Sequence, residues 1–123
     1  MKHMRLSVIS LLLCCCTGLY AQQVKVACIG DSVTYGTGIE DRETNSYPSQ
    51  LQQMLGEGYK VGNFGRPGAT LLNKGHRPYM QQPEFKAAMD FAGDIAVIHL
   101  GLNDTDPRNW PDYRDEFITD YLS

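Results

Sequence analysis

Three apolar runs end in glycine at nearly equal intervals, and that spacing restricts the fold more than any other feature of the chain. "VKVACIG" (Val24–Gly30), "YKVGNFG" (Tyr59–Gly65) and "DIAVIHLG" (Asp94–Gly101) close about 35 residues apart. Each has the length of a strand. The third is almost unbroken in apolar character, the pattern of a strand buried on both faces of a parallel sheet. An interval of this size holds a strand, a crossover helix and two loops, the content of one βαβ unit with a right-handed crossover.

Helical patterns fall where such units need them. In "NSYPSQLQQMLGEG", Tyr47, Leu51, Met54 and Leu55 recur at helical spacing, with Asn45 or Ser46 to cap the start, Pro48 in the first turn and Gly56 to end it. "PEFKAAMDFAG" repeats the theme, with Pro83 near its start and Phe85, Ala88, Met89 and Ala92 on one side. "WPDYRDEFITDYLS" predicts a last continuous helix with Trp110, Tyr113, Phe117 and Tyr121 on one stripe. The fold class expected is α/β, an open layered structure to which the chain contributes about three parallel strands.

The first residues stand apart from this pattern. "MKHMRLSVISLLLCCCTGLYAQQ" places Lys2, His3 and Arg5 before an apolar run from Leu6 to about Ala21 that is too short for a transmembrane span. Leu19-Tyr20-Ala21 makes a cleavage site before Gln22, so residues 1–21 read as a signal peptide and 22–123 as the folded domain. A lipoprotein signal fits less well, because the residues before Cys14, Cys15 and Cys16 are not small. The expected localisation is therefore periplasmic or secreted. Removal of the signal leaves Cys28 as the single cysteine, which excludes an intramolecular disulfide and reads as a small buried hydrophobe. With a net charge of −3 and no Lys/Arg stripe interleaved with aromatics, nucleic acid is excluded as a partner.

In an open parallel sheet, ligands bind beyond the carboxyl ends of the strands. Chemically capable residues collect at all three ends. After the first comes "GDSVTYG", where Ser32 opens a helix with its hydroxyl exposed and its own N–H aimed at the same space. This is not the G-x-S-x-G elbow, since Thr34 stands where glycine is required, and no Gly-Lys-Ser/Thr follows to bind a nucleotide phosphate. After the second comes "NFGRPGAT", where Gly68 lets a bare N–H approach a ligand. After the third comes "GLND", where Asn103 offers an amide donor. One serine oxygen with three converging donors (Ser32 N–H, Gly68 N–H and the Asn103 amide) is what ester hydrolysis needs. Taken singly, the same residues also read as a helix cap for Ser32, a turn glycine for Gly68 and an Asx-turn for Asn103 and Asp104.

Taken together, "GDSVTYG", "NFGRPGAT" and "GLND" resemble the first three blocks of the SGNH, or GDSL-type, hydrolase superfamily. The resemblance runs from Val24 to about Leu122. It implies a flavodoxin-like three-layer α/β/α sandwich, here about three strands of it, with Ser32 as nucleophile, Gly68 and Asn103 completing the oxyanion hole, Asp31 and Asp104 in support, and no cofactor. The longer text "VIHLGLNDTDPRNWPDY" is similar to carbohydrate-acting acetylesterases, in particular sialate O-acetylesterases, which implies a small-molecule or glycan ester as partner. A lysophospholipase or thioesterase of the same superfamily, and a glycan-binding module without catalysis, are the alternatives.

One element of the family pattern is missing: no aspartate has a histidine three residues later. His76 could line the pocket or stand in for the missing base, and His99, inside the third strand, is expected to be packed or hydrogen-bonded in the sheet. The expectation is an N-terminal portion of a longer hydrolase, consistent with an uncapped last helix and a third strand without neighbours. Arg66, Arg77 and Arg108 lie in loops beside the crevice, where any could pair with a sugar carboxylate. Trp110 and Tyr113 could stack on a sugar ring or pack in the core. "DTDPRN" lacks the glycine and terminal glutamate of a calcium loop, so no metal site is expected.

Overall fold

The computed structural model describes residues 22–123, so the expected signal peptide lies outside the described residues. In chain order the elements are β1 (Val24–Gly30), α1 (Ser32–Tyr35), α2 (Arg42–Asn45), α3 (Tyr47–Leu55), β2 (Tyr59–Gly65), α4 (Pro83–Phe91), β3 (Ile95–His99), α5 (Trp110–Tyr113) and α6 (Phe117–Tyr121). Single 3₁₀ turns occupy Tyr79–Gln81, Asn103–Thr105 and Arg114–Glu116.

The three strands form one parallel sheet in the order β2-β1-β3. β1 is central because its neighbours pair along both edges, from Val24↔Tyr59 to Gly30↔Gly65 on one side and from Val26↔Ile95 to Gly30↔His99 on the other. Register then sorts the faces, since side chains alternate along a strand. On one face α3 packs, with Gln52 Oε1 accepting from Val61 N–H at 2.7 Å and Cys28 buried beneath Tyr47. On the other, α4 lies over Ala27 and Phe64, whose ring meets Phe91 at 5.2 Å between centroids. Helices on both faces make the three layers that the glycine-ended runs imply.

The core is correspondingly centred on β1 and the loop after β2: Val26, Ala27, Cys28, Ala69, Leu72, Tyr79 and Ala88 are buried. Burial pushes the Cys28 thiol pKa up, as befits a packing residue rather than a reactive one. Several apolar positions expected in the core are not there. Met54 is 78% exposed and Met89 63%, and every residue of β3 is exposed despite its apolar run. For β3 and Met89 the cause is geometric. Among the described residues β3 is an edge strand with a partner on one side only, and beside it α4 leaves an apolar groove of about 170 Å³ lined by Ala27, Phe85, Ala88, Met89 and Ala96.

The expected continuous helix over 110–123 is broken into α5, a 3₁₀ turn and α6. Tertiary anchoring explains the break. Asp120 accepts from both the backbone and the side-chain amide of Asn73 (2.8 and 3.0 Å), and Glu116 pairs with Lys74 at 2.8 Å. These ties pull the segment onto the loop after β2, and the tighter turn still lets Trp110 meet Phe117 edge-on at 5.8 Å. Among the described residues no helix is long and apolar enough to cross a membrane.

Candidate active site

The end of β1 hands directly to α1, and Asp31 is the residue between them. Its fully buried carboxylate accepts from Val33 N–H at 2.9 Å, so Asp31, not Ser32, caps the helix. Ser32 is thereby released from the capping role. It occupies the first helical position, half-buried, where its N–H has no intrahelical carbonyl in reach. α1 lies directly on the strand ends, because a side chain at Gly65 would run into the Tyr35 backbone.

Gly68 sits in the loop after β2 with φ +78°, a left-handed conformation that L side chains rarely adopt. Around it Arg66 N–H donates to Gly30 C=O at 2.8 Å and Ala69 N–H closes the turn on Arg66 C=O at 3.0 Å, bonds in which the Gly68 N–H takes no part. A Cβ built at Gly68 would lie 3.1 Å from Arg77 Nη1.

Asn103 joins the two ends. Its Nδ2 donates to Ala69 C=O at 2.9 Å and reaches Asp31 Oδ2 at 3.4 Å. One nitrogen therefore touches the residue before Ser32 and the residue after Gly68, which fixes the convergence of all three strand ends. The 3.4 Å contact is long and weak, and it is the donor most easily given up to a ligand. Asp104 does not form an Asx-turn. Fully buried, it accepts from Leu71 N–H at 2.9 Å and Leu72 N–H at 2.7 Å, clamping the third loop to the second.

The loop residues divide by their partners. Arg108 grips Asp106 with Nε–Oδ1 at 2.9 Å and Nη2–Oδ2 at 2.8 Å, which holds the Asp106 carboxyl below the ordinary carboxylate range. Arg66 pairs with Glu84 at 3.3 Å, and Arg77 donates Nη1 to Pro67 C=O at 2.8 Å. The exposed His76 receives Asn109 Nδ2 on its Nδ1 at 2.9 Å, while its backbone N–H donates to Asn109 Oδ1 at 2.8 Å. His99 departs from expectation. Its side chain is half exposed rather than packed, with Nδ1 3.6 Å from Asp31 Oδ1, because β3 lies at the edge of the sheet among the described residues. Trp110 is exposed and Tyr113 half-buried. With Asp104 clamping amides and Asp106 paired, neither carboxylate of "DTDPRN" is free, and among the described residues no group of three or more His, Cys, Asp or Glu is placed to hold a metal.

Asn109 is the positional residue that sequence reasoning passes over. Fully buried, it also donates Nδ2 to Asn103 C=O at 2.9 Å and so ties the His76 loop to the third strand end. Only its place inside the third block's longer text, "NDTDPRNW", could have drawn notice.

Residues 28–122 match the GDSL-like Lipase/Acylhydrolase family. The chain belongs to that family. Within it, the GDSL-type chain is similar to an acetylxylan esterase from Xylanibacter ruminicola, 50% identical over 97 residues, covering 79% of this chain and 20% of that protein. The chain thus spans about a fifth of that curated relative's length. Among solved structures, the SGNH-hydrolase family esterase AlinE4 superposes with a TM-score of 0.59 at 24% identity, over 82% of this chain and 52% of that one, and a mutant of the same esterase superposes equally well. That likeness establishes the fold of the GDSL-type chain as that of the SGNH hydrolases.

Proposed function

We propose that this chain forms the nucleophile-bearing part of an exported serine esterase that removes O-acetyl groups from a carbohydrate. The observation that supports the reading is the single Asn103 nitrogen that donates to Ala69 C=O at 2.9 Å and lies 3.4 Å from Asp31 Oδ2, the chain neighbours of Gly68 and Ser32. In the reaction, Ser32 Oγ attacks the acetyl carbonyl and a C–O bond forms. The oxygen that gains charge is held by Ser32 N–H, Gly68 N–H and the Asn103 amide, whose weak contact to Asp31 gives way to the stronger oxyanion. The ester C–O bond then breaks, the sugar leaves as its alcohol with the proton that Ser32 Oγ gave up, and water cleaves the acetyl-serine to acetate and free Ser32.

The proton carrier is to be sought in the longer protein. Its relatives extend well past this length, and β3 has an unpaired edge on which further strands fit. Support for a carbohydrate comes from the acetylxylan esterase at 50% identity, and support for sialate among the sugars from the wording of the third block. The apolar tract before Gln22 supports export.

An acyl-chain series of aryl esters on the full-length protein tests the reading. Acetate is expected to be the best substrate, with a fluorophosphonate attaching to Ser32. A preference for long acyl chains would point to a lysophospholipase or thioesterase. Saturable sugar binding without labelling, unchanged in Ser32→Ala, would point to a non-catalytic glycan-binding module.

A further inference from the structure

Five arginines lie among the described residues, and four of them have a carboxylate partner. Arg42 pairs with Glu43, Arg66 with Glu84, Arg108 with Asp106, and Arg114 lies 3.8 Å from Asp115. Arg77 has none. Its one recorded bond is from Nη1 to Pro67 C=O at 2.8 Å, and that bond sets the guanidinium beside Gly68, with Nη1 3.1 Å and Cζ 3.7 Å from where a Gly68 Cβ would be. The Nε–Nη2 edge, which in arginine grips a carboxylate through two parallel bonds, is left unengaged.

A guanidinium pinned beside the half-buried Gly68 carries a local positive charge with no carboxylate partner among the described residues. On the reading above, the acyl oxygen of the substrate docks at the Gly68 amide, so the sugar lies within reach of Arg77. We infer that Arg77 is a specificity-determining residue that selects esters of sugars carrying a carboxylate. The inference rests on the proposed Ser32–Gly68–Asn103 site and adds a substrate class to it. A uronic acid and a sialic acid offer the same carboxylate, and separate substrates tell them apart.

The test measures kcat/KM of the full-length protein on an acetylated methyl glucuronoside, an O-acetylated sialoside and a neutral acetylated methyl glucoside. Wild type is expected to prefer at least one acidic ester, with the preference shrinking at high salt as the charges are screened. Arg77→Gln is expected to lower the acidic-to-neutral ratio about tenfold, the scale of one charge-assisted hydrogen bond, and Arg77→Lys to recover part of it. A wild-type ratio at or below one for both acids overturns the inference, as does a ratio that Arg77→Gln leaves unmoved. Absence of any Ser32-dependent turnover would overturn the esterase reading itself, and the inference with it, whereas turnover with an unmoved ratio overturns the inference alone.

Discussion

Gly68 combines two demands at one position. Its φ of +78° disfavours any side chain, and a Cβ there would crowd Arg77 Nη1. Gly68→Ala is therefore expected to strain the loop by roughly 1–2 kcal/mol. Its effect on catalysis is expected to be larger, a fall in kcat on the order of 10² with KM little changed, as for loss of an oxyanion donor. Steady-state kinetics beside a urea titration separate the two effects. The places of Ser32, Gly68 and Asn103 after the three strands were legible in the sequence, because each sits in a short block where an apolar run closes. The helix cap was not. A serine and an aspartate are both good caps, and only the buried Asp31 carboxylate at 2.9 Å from Val33 N–H decides between them. Asn109 escaped for a related reason: its partners His76 and Asn103 lie 33 and 6 residues away, beyond any local pattern.

The loop after β3 is held to the loop after β2 by one carboxylate. Asp104→Ala would leave the Leu71 and Leu72 amides without acceptors in a buried setting, at an expected cost of about 3 kcal/mol in chemical denaturation, with Asp104→Asn costing less because one acceptor oxygen survives. On the opposite layer, burial pushes the phenol of Tyr47, the first residue of α3, up to about 12, eased by its bond to Thr34. Because the unfolded phenol ionises near 10.0 and the folded one later, stability from this group is complete below pH 10 and declines from there toward 12. Urea midpoints from pH 9 to 11 should fall more steeply in wild type than in Tyr47→Phe. Part of the slope survives, because burial raises Tyr79 in the same direction. At this scale the strands and the helices over α3 and α4 were readable from period and glycine punctuation. The break between α5 and α6 was not, because it follows from Asn73 and Lys74 drawing in Asp120 and Glu116 across the fold.

Residues 22–123 present β3 as an open, apolar edge, with Ile95 47% and Ile98 51% exposed. An unpaired edge of this kind is a template for pairing with another chain. Residues 22–123 expressed alone are expected to self-associate and to show no Ser32-dependent hydrolysis, and lysines at Ile95 and Ile98 are expected to improve solubility in light scattering. The apolar run of β3 was legible as a strand. Its burial was not, because burial belongs to neighbours that the run itself does not encode. The proposed function requires the three strand ends to converge so that Ser32 acts as a nucleophile. Its most direct test is turnover of an acetylated sugar by the full-length protein and by Ser32→Ala. Ser32→Ala is expected to lower kcat on the order of 10⁴–10⁶ with the fold intact. A Ser32→Ala enzyme within tenfold of wild type would contradict it.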